Sequence, residues 1–173
     1  QITINLETNL EEKTSYYIHI EPSAFKDLSD NFYEGINDKT SLSFTTVDTI
    51  NPTLSSSHPA NNETDVVVDS DIILNFSEEV DVETGNILIK KKSDNSTVET
   101  IDVSSSKVTG SGTNQITINP DNLIADAVDY YIQIPSTAFD DLAGNSYKGI
   151  SDESILSFTT VDTINPTLSS SHP

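Results

Sequence analysis

The stretch DIILNF, at residues 71–76, indicates a β-strand with one apolar face. Ile72, Leu74 and Phe76 occupy every second position, and alternate side chains of a strand project to the same side. Turn-forming residues separate this stretch from further short runs of the same kind, and no segment has the 3.6-residue period of a helix. The other predicted strands are TLSSS, DVVV, NILIK, STVETIDV, QITIN, DYYIQI and ILSFTT.

Seven or eight such strands predict an all-β fold, an immunoglobulin-like Greek-key β-sandwich of two packed sheets. The spacing of Ile124 and Tyr130 resembles the tyrosine corner of such sandwiches, and Leu10 and Tyr16 repeat it. We interpret this motif as packing, with no ligand. The residues predicted to be buried on the apolar strand faces are Ile72, Leu74, Phe76, Tyr130, Ile132, Ile134 and Phe158.

The chain repeats itself at an offset of 114 residues. Residues 1–59 align without a gap on residues 115–173, and 36 of the 59 pairs are identical. The last 18 pairs, LSFTTVDTINPTLSSSHP at 42–59 and again at 156–173, are all identical. Such self-similarity is typical of tandem-repeat proteins. The predicted pieces are residues 1–48 as the C-terminal part of one Ig-like repeat, 49–162 as a complete repeat, and 163–173 as the first strand of the next.

The charge balance narrows the possible partners. The chain has 28 acidic residues against 8 basic ones, a formal net charge of −20, so it should repel nucleic acid and anionic membranes. It has no cysteine, which excludes disulfides and thiolate metal sites. No apolar run approaches the roughly 20 residues of a membrane-spanning helix. The expected partners are neighbouring repeats or chains of the same protein, while any adhesive target is unknown.

Four segments carry a resemblance to a known family: DTINPTLSSSHPANN, ILNFSEEVD, YYIQIPSTAFDDLAGNSYKGISD and LSFTTVD. Together they resemble the bacterial Ig-like repeats of large surface adhesins and of modules appended to secreted enzymes. The resemblance implies non-catalytic extracellular spacer domains on the bacterial cell surface or in a secreted fibre, often rigidified by calcium at their junctions. One departure concerns the first copy, which reads DLSDN at residues 27–31 where the second reads DLAGN. If the second copy uses a backbone conformation that requires glycine at position 144, we do not expect the first copy to share it.

Calcium is the one cofactor that the residue types favour, because it prefers six to eight oxygen ligands. If the strands alternate in direction, two predicted acidic loops lie at the end where the chain enters the sandwich. These loops are SEEVDVETG and FDDLAGNSYKGISD, and they would face the linker VDTIN. The predicted metal ligands are Asp48, Glu78, Asp81, Asp141 and Asn145.

The sequence predicts no enzyme. Adjacent carboxylates such as Asp140 and Asp141 could serve acid–base catalysis, but adjacency is expected in so acidic a chain. The leading functional prediction is a structural spacer or stalk repeat of a giant extracellular adhesin or surface fibre. One alternative is a subunit of a polymerising filament, completed by strands from a neighbouring chain. A carbohydrate- or ice-binding module is a third possibility, which would need an exposed aromatic platform or a flat Thr array.

Overall fold

The computed structural model describes residues 1–121, 123 and 127–169, and the chain divides into two units, Gln1–Thr49 and Ile50–Pro173. Unit 1 contains β1 (Ser15–Tyr17) and β2 (Ser43–Thr45). The strands of unit 2 are β3 (Leu54–His58), β4 (Glu63–Val66), β5 (Ile72–Val82), β6 (Asn86–Lys91), β7 (Thr97–Asp102), β8 (Val108–Thr109), β9 (Thr113–Ile118), β10 (Asp129–Gln133), β11 (Phe139–Asp141) and β12 (Ser157–Thr160).

Unit 2 is built from two sheets. One has the strand order β4-β12-β10-β6-β7, and the other has the order β11-β5-β9-β8 with β3 also paired to β5. Strands β4 and β12 are parallel, and the other pairs are antiparallel. The chain crosses between the sheets after β3, β4, β5, β7, β9, β10 and β11. The prediction of an all-β sandwich is confirmed, and the described residues include no helix.

The core of unit 2 lies between the apolar faces of the two sheets. All seven residues predicted to be buried are at most 3% exposed, so the strand registers inferred from alternation are confirmed. At the start of β12, Leu156 and Phe158 are both buried, whereas Ile155 is 41% exposed. Period-2 patterning was therefore sufficient to find these seven residues of the core.

The prediction that SEEVDVETG forms a loop is wrong in its first part. Strand β5 continues through Val82, because Val80 is fully buried and keeps the inward alternation of the strand. Val80 pairs with Thr113 of β9 and with Asp141 of β11. Three acidic residues of this strand, Glu78, Glu79 and Asp81, give it a composition typical of a loop. Strand β11 was not predicted for the same reason, because its residues Phe139–Asp141 begin the acidic segment FDDLAGNSYKGISD, which was predicted to be a loop.

One carboxylate is buried at the edge of the sandwich. Glu99 on β7 is 7% exposed, and its two oxygens accept hydrogen bonds from Lys107 Nζ at 2.6 Å and from the backbone N–H of Asp121 at 2.9 Å. A buried charge is tolerated when it is paired in this way. Hydrogen bonds to Asp121 and then to Glu99 hold the pKa of Lys107 above its ordinary value.

Unit 1 repeats the pairing of the C-terminal strands of unit 2. Tyr16 is paired with Phe44 in β1 and β2, as Tyr130 is with Phe158 in β10 and β12, and both ring pairs have centroids 5.8 Å apart. The Tyr16 hydroxyl accepts a hydrogen bond from the backbone N–H of Glu11 at 2.9 Å, consistent with a tyrosine corner. In the second copy, Ile124 lies outside the described residues.

The predicted domain boundaries at 48 and 162 stay predictions. Residues 163–169 are exposed and form no strand, and residues 170–173 lie outside the described part of the chain. The assignment of 163–173 to a further repeat therefore rests on sequence identity alone.

Candidate metal centre

Strands β5 and β11 position two of the predicted metal ligands side by side. The two strands are antiparallel, with Asp141 opposite Val80. Glu78, two residues before Val80 on β5, is partly buried, and Asp141 at the end of β11 is 3% exposed. One carboxylate oxygen of Glu78 lies within 4.8 Å of one of Asp141. Two oxygens that each bind a calcium ion at about 2.4 Å can be at most about 4.8 Å apart, so this pair fits one ion.

Asp141 also organises the loop that follows it. Its Oδ1 accepts the backbone N–H groups of Ala143 and Asn145, each at 2.8 Å, and its Oδ2 accepts the side-chain amide of Asn145 at 2.8 Å. A carboxylate that caps its own turn in this way is a common device of Asp-rich loops. The structure therefore brings Asp141 and Asn145 together in one turn and gives both a structural role, while their role as metal ligands stays a prediction.

The first copy forms the same loop, although it has Asp30 at the position of Gly144. Asp27 accepts the backbone N–H groups of Ser29 and Asn31 and the side-chain amide of Asn31. These bonds, led by the one from the Asn31 side chain, hold the pKa of Asp27 below its ordinary value. Asp30 adopts φ +67° where Gly144 has φ +87°. Asp tolerates this left-handed region better than most residues, so the loop survives without glycine.

Asp81 lies elsewhere on β5. Its carboxylate accepts a hydrogen bond from the Ser111 hydroxyl at 3.2 Å, and the Ser111 oxygen accepts the backbone N–H of Val82 at 3.0 Å. Side chains alternate along a strand, so Asp81 and its neighbour Val80 project to opposite sides. The place of Asp81 among the metal ligands stays a prediction.

Asp48 belongs to unit 1. Its carboxylate forms an ion pair with Lys13 Nζ at 2.8 Å. The next residue is also held within unit 1, because the backbone N–H and the hydroxyl of Thr49 each donate to a carboxylate oxygen of Glu12 at 2.8 Å. The linker residues Asp48 and Thr49 are therefore both bonded to side chains of unit 1. Its role as a metal ligand remains a prediction from the sequence.

The chemistry of the pair in unit 2 suits a hard cation. Glu78 and Asp141 offer only carboxylate oxygens, which are typical ligands of calcium and magnesium rather than of copper or zinc. Calcium accepts irregular sets of six to eight oxygens, whereas magnesium requires a near-octahedral set at shorter distances. Of these two ions, calcium has the less demanding coordination geometry.

The strand order and the packed core define unit 2 as an immunoglobulin-like β-sandwich. Residues 48–160 match the sequence model of the bacterial Ig-like domain, and the chain belongs to that family. The crystal structure of CopC from Methylosinus trichosporium OB3b is similar, with 13% identity and a TM-score of 0.47 over 67% of this chain and 99% of that chain. No curated protein matches the chain. Over the described part of the chain, no helix has the length and apolar character to cross a membrane.

Proposed function

We propose that the chain is a non-catalytic structural spacer, a stalk segment of a giant extracellular adhesin or fibre on the bacterial surface. The observation that supports this proposal is the recurrence of one strand pairing at the 114-residue offset of the sequence repeat. The strand register of β1 with β2 is repeated, 114 residues later, by the register of β10 with β12. A chain that repeats a whole domain extends its length without adding a new site, as spacers require.

Three further features support a spacer. All six aromatic residues of unit 2 are at most 4% exposed, which argues against an aromatic platform for carbohydrate in that unit. The formal charge of −20 keeps like chains apart in solution. Membership of the bacterial Ig-like family is consistent with a position outside the cell. The adhesive end of the protein would then lie in another part of it.

Calcium is proposed as the ion that stiffens the repeat. Glu78 and Asp141 form the part of the site that has geometric support, while Asp48, Asp81 and Asn145 are assigned from the sequence. A divalent ion would remove the repulsion between the two neighbouring carboxylates. An ion present at 100 times its dissociation constant, and bound only by the folded state, adds about 2.7 kcal/mol of stability.

Glu78→Gln tests the calcium proposal, with Glu79→Gln as its matched control. Both changes remove one negative charge from β5, but Glu79 is exposed whereas Glu78 lies near Asp141. The difference in melting temperature between calcium and chelator should be large in the parent and in E79Q, and small in E78Q. Asp141→Ala is less informative, because it also removes the hydrogen bonds that close the loop. Identical melting curves with calcium and with chelator in the parent would refute calcium binding.

The spacer role is tested by adding copies of residues 49–162 to the chain. Small-angle scattering should show that the maximal dimension grows by a constant increment for each added copy. Sedimentation velocity over a hundredfold concentration range should show a monomer. Concentration-dependent assembly into longer particles would favour the filament-subunit alternative instead, and a maximal dimension that stays constant would exclude a spacer.

A further inference from the structure

One pair of strands in unit 2 differs from the others in direction. Strand β12 is paired in parallel with β4, with Phe158 opposite Glu63 and Thr160 opposite Val66. β12 ends just before the second copy of the linker sequence VDTIN, and β4 is the second strand after the chain enters the unit. Because the strands are parallel, the N-terminal end of β4 and the C-terminal end of β12 lie at opposite ends of the pair.

This geometry determines how the pair responds to tension. A pull on the chain before β4 and after β12 draws the two strands in opposite directions along their length. The hydrogen bonds between them then share the force and must break together, whereas a pull on both strands from the same end breaks the bonds one at a time. Forced unfolding is governed by the rate of barrier crossing, and simultaneous rupture has the higher barrier. β3 is paired with β5, so its release leaves the β4–β12 pair intact.

Hydrogen bonds close the pair at both ends. The backbone N–H of Asn62 donates to the Ser157 carbonyl at 2.6 Å, and that of Val161 donates to the Val66 carbonyl at 2.9 Å. Val66, Ser157 and Thr160 are all at most 4% exposed. Burial limits the access of water to these bonds, and a hydrogen bond in such surroundings is electrostatically stronger than one in water.

The side chain of Asn61 adds to the bonds at the first end. Asn61 lies in the turn before β4, and its Oδ1 accepts the backbone N–H of Ser157 at 3.1 Å. Its Nδ2 donates to the Ser154 carbonyl at 2.8 Å, in the segment that leads into β12. Asn61 is exposed and lies outside the core, so its side chain joins the two strands without filling the sandwich.

We propose that unit 2 is a tension-resistant domain, in which shear of the parallel β4–β12 pair, reinforced by Asn61, sets the force at which the unit unfolds. The direction of the force rests on the spacer proposal, because tandem repeats pull on one another through their linkers. The resistance of the pair rests on strand direction alone. A lengthening, monomeric array with a weak β4–β12 pair would refute this inference and leave the spacer role intact.

Single-molecule stretching of the full 173-residue chain tests the proposal. The chain has no cysteine, so two introduced cysteines define the points of attachment. Ile50→Cys with Thr163→Cys loads opposite ends of the pair, whereas Val67→Cys with Thr163→Cys loads the same end, and all three positions are exposed. With chelator present, so that calcium cannot contribute, the first geometry should unfold at a force at least about twofold higher than the second. Equal forces in the two geometries would overturn the proposal.

Two matched variants test the role of Asn61. Asn61→Ala removes the side-chain bonds between the turn before β4 and β12. Asn119→Ala removes an exposed side-chain bond, to Asp71 at 2.7 Å, that lies outside the β4–β12 pair. In the first geometry at constant force, N61A should unfold at least about 10-fold faster than the parent, and N119A less than about threefold faster. Urea denaturation measures the loss of equilibrium stability in each variant, and the difference in unfolding rate should exceed what these losses explain. Equal acceleration in both variants, or none in N61A, would overturn the proposal.

Discussion

Phe139 and Phe25 occupy the same repeat position and provide a matched test of the fold. Phe139 on β11 is fully buried, and its ring lies 5.5 Å from that of Phe76. Phe25 is 38% exposed, and the centroid of its ring lies 6.3 Å from that of Tyr33. Replacing a buried Phe by Ala costs about 3–5 kcal/mol, from lost burial and the cavity left behind. The same change at a partly exposed ring should cost less than about 1 kcal/mol.

Urea denaturation followed by far-ultraviolet circular dichroism would measure both losses. At a slope of about 1–3 kcal/mol per molar, a loss of 3 kcal/mol moves the midpoint by at least about 1 M. Phe139→Ala should show this shift in the main transition, and Phe25→Ala should leave that transition nearly unchanged. Equal losses would refute the placement of Phe25 at a partly exposed position. A loss below about 1 kcal/mol for Phe139→Ala would mean that β11 is not part of the core.

Two other predictions concern turns. Gly149→Ala should cost about 1–3 kcal/mol in urea denaturation, because Gly149 has φ +78° and a Cβ there would lie 2.4 Å from the Ile134 carbonyl oxygen. Gly144→Asp should cost less than about 1 kcal/mol, since no atom lies within 4 Å of the added Cβ and the first copy already has Asp there; equal costs would contradict this reasoning. Hydrogen bonds from the Ser104 hydroxyl and then from its backbone N–H lower the pKa of Asp102 from the ordinary 3.8. The ionised carboxylate therefore stabilises the folded state above pH 3.8, and this contribution is lost as the pH falls through the lowered pKa. Ser104→Ala should raise the Asp102 pKa in a carbon-detected NMR titration, and an unchanged value would contradict the assignment.

The sandwich could be predicted from the sequence because its core strands alternate cleanly. DIILNF and DYYIQI place their large apolar residues on one face, and burial against a second sheet leaves only one register possible. The end of β5 and the short β11 could not be predicted in the same way. At the end of β5 only one residue, Val80, is buried among the acidic residues Glu78, Glu79 and Asp81. A single apolar residue does not establish the alternation that identifies a strand.

The candidate metal site was only partly predictable. Pairing of β5 with β11 brings Glu78 near Asp141, and this follows from topology, which the sequence indicated only as two loops at one end. The Asp141 and Asn145 contacts follow from local turn chemistry, and the D-x-x-x-N spacing, which is present in both copies, could have indicated them.

The two copies of the linker aspartate differ in their charge partners, which gives a last prediction about the proposed calcium site. Asp48 pairs with Lys13 Nζ at 2.8 Å, but the equivalents of these residues are Asp162 and Ala127, so the second copy has no such lysine. An ammonium group beside a carboxylate competes with a metal ion for the same negative charge. Lys13→Ala should therefore raise calcium affinity in titration calorimetry, about 10-fold if the competing charge is worth roughly 1.4 kcal/mol. Lys39→Ala removes an equal charge elsewhere in unit 1 and should change the affinity less than twofold. If Lys13→Ala leaves calcium affinity unchanged while Glu78→Gln abolishes it, Asp48 is not a ligand and the ion belongs to unit 2 alone.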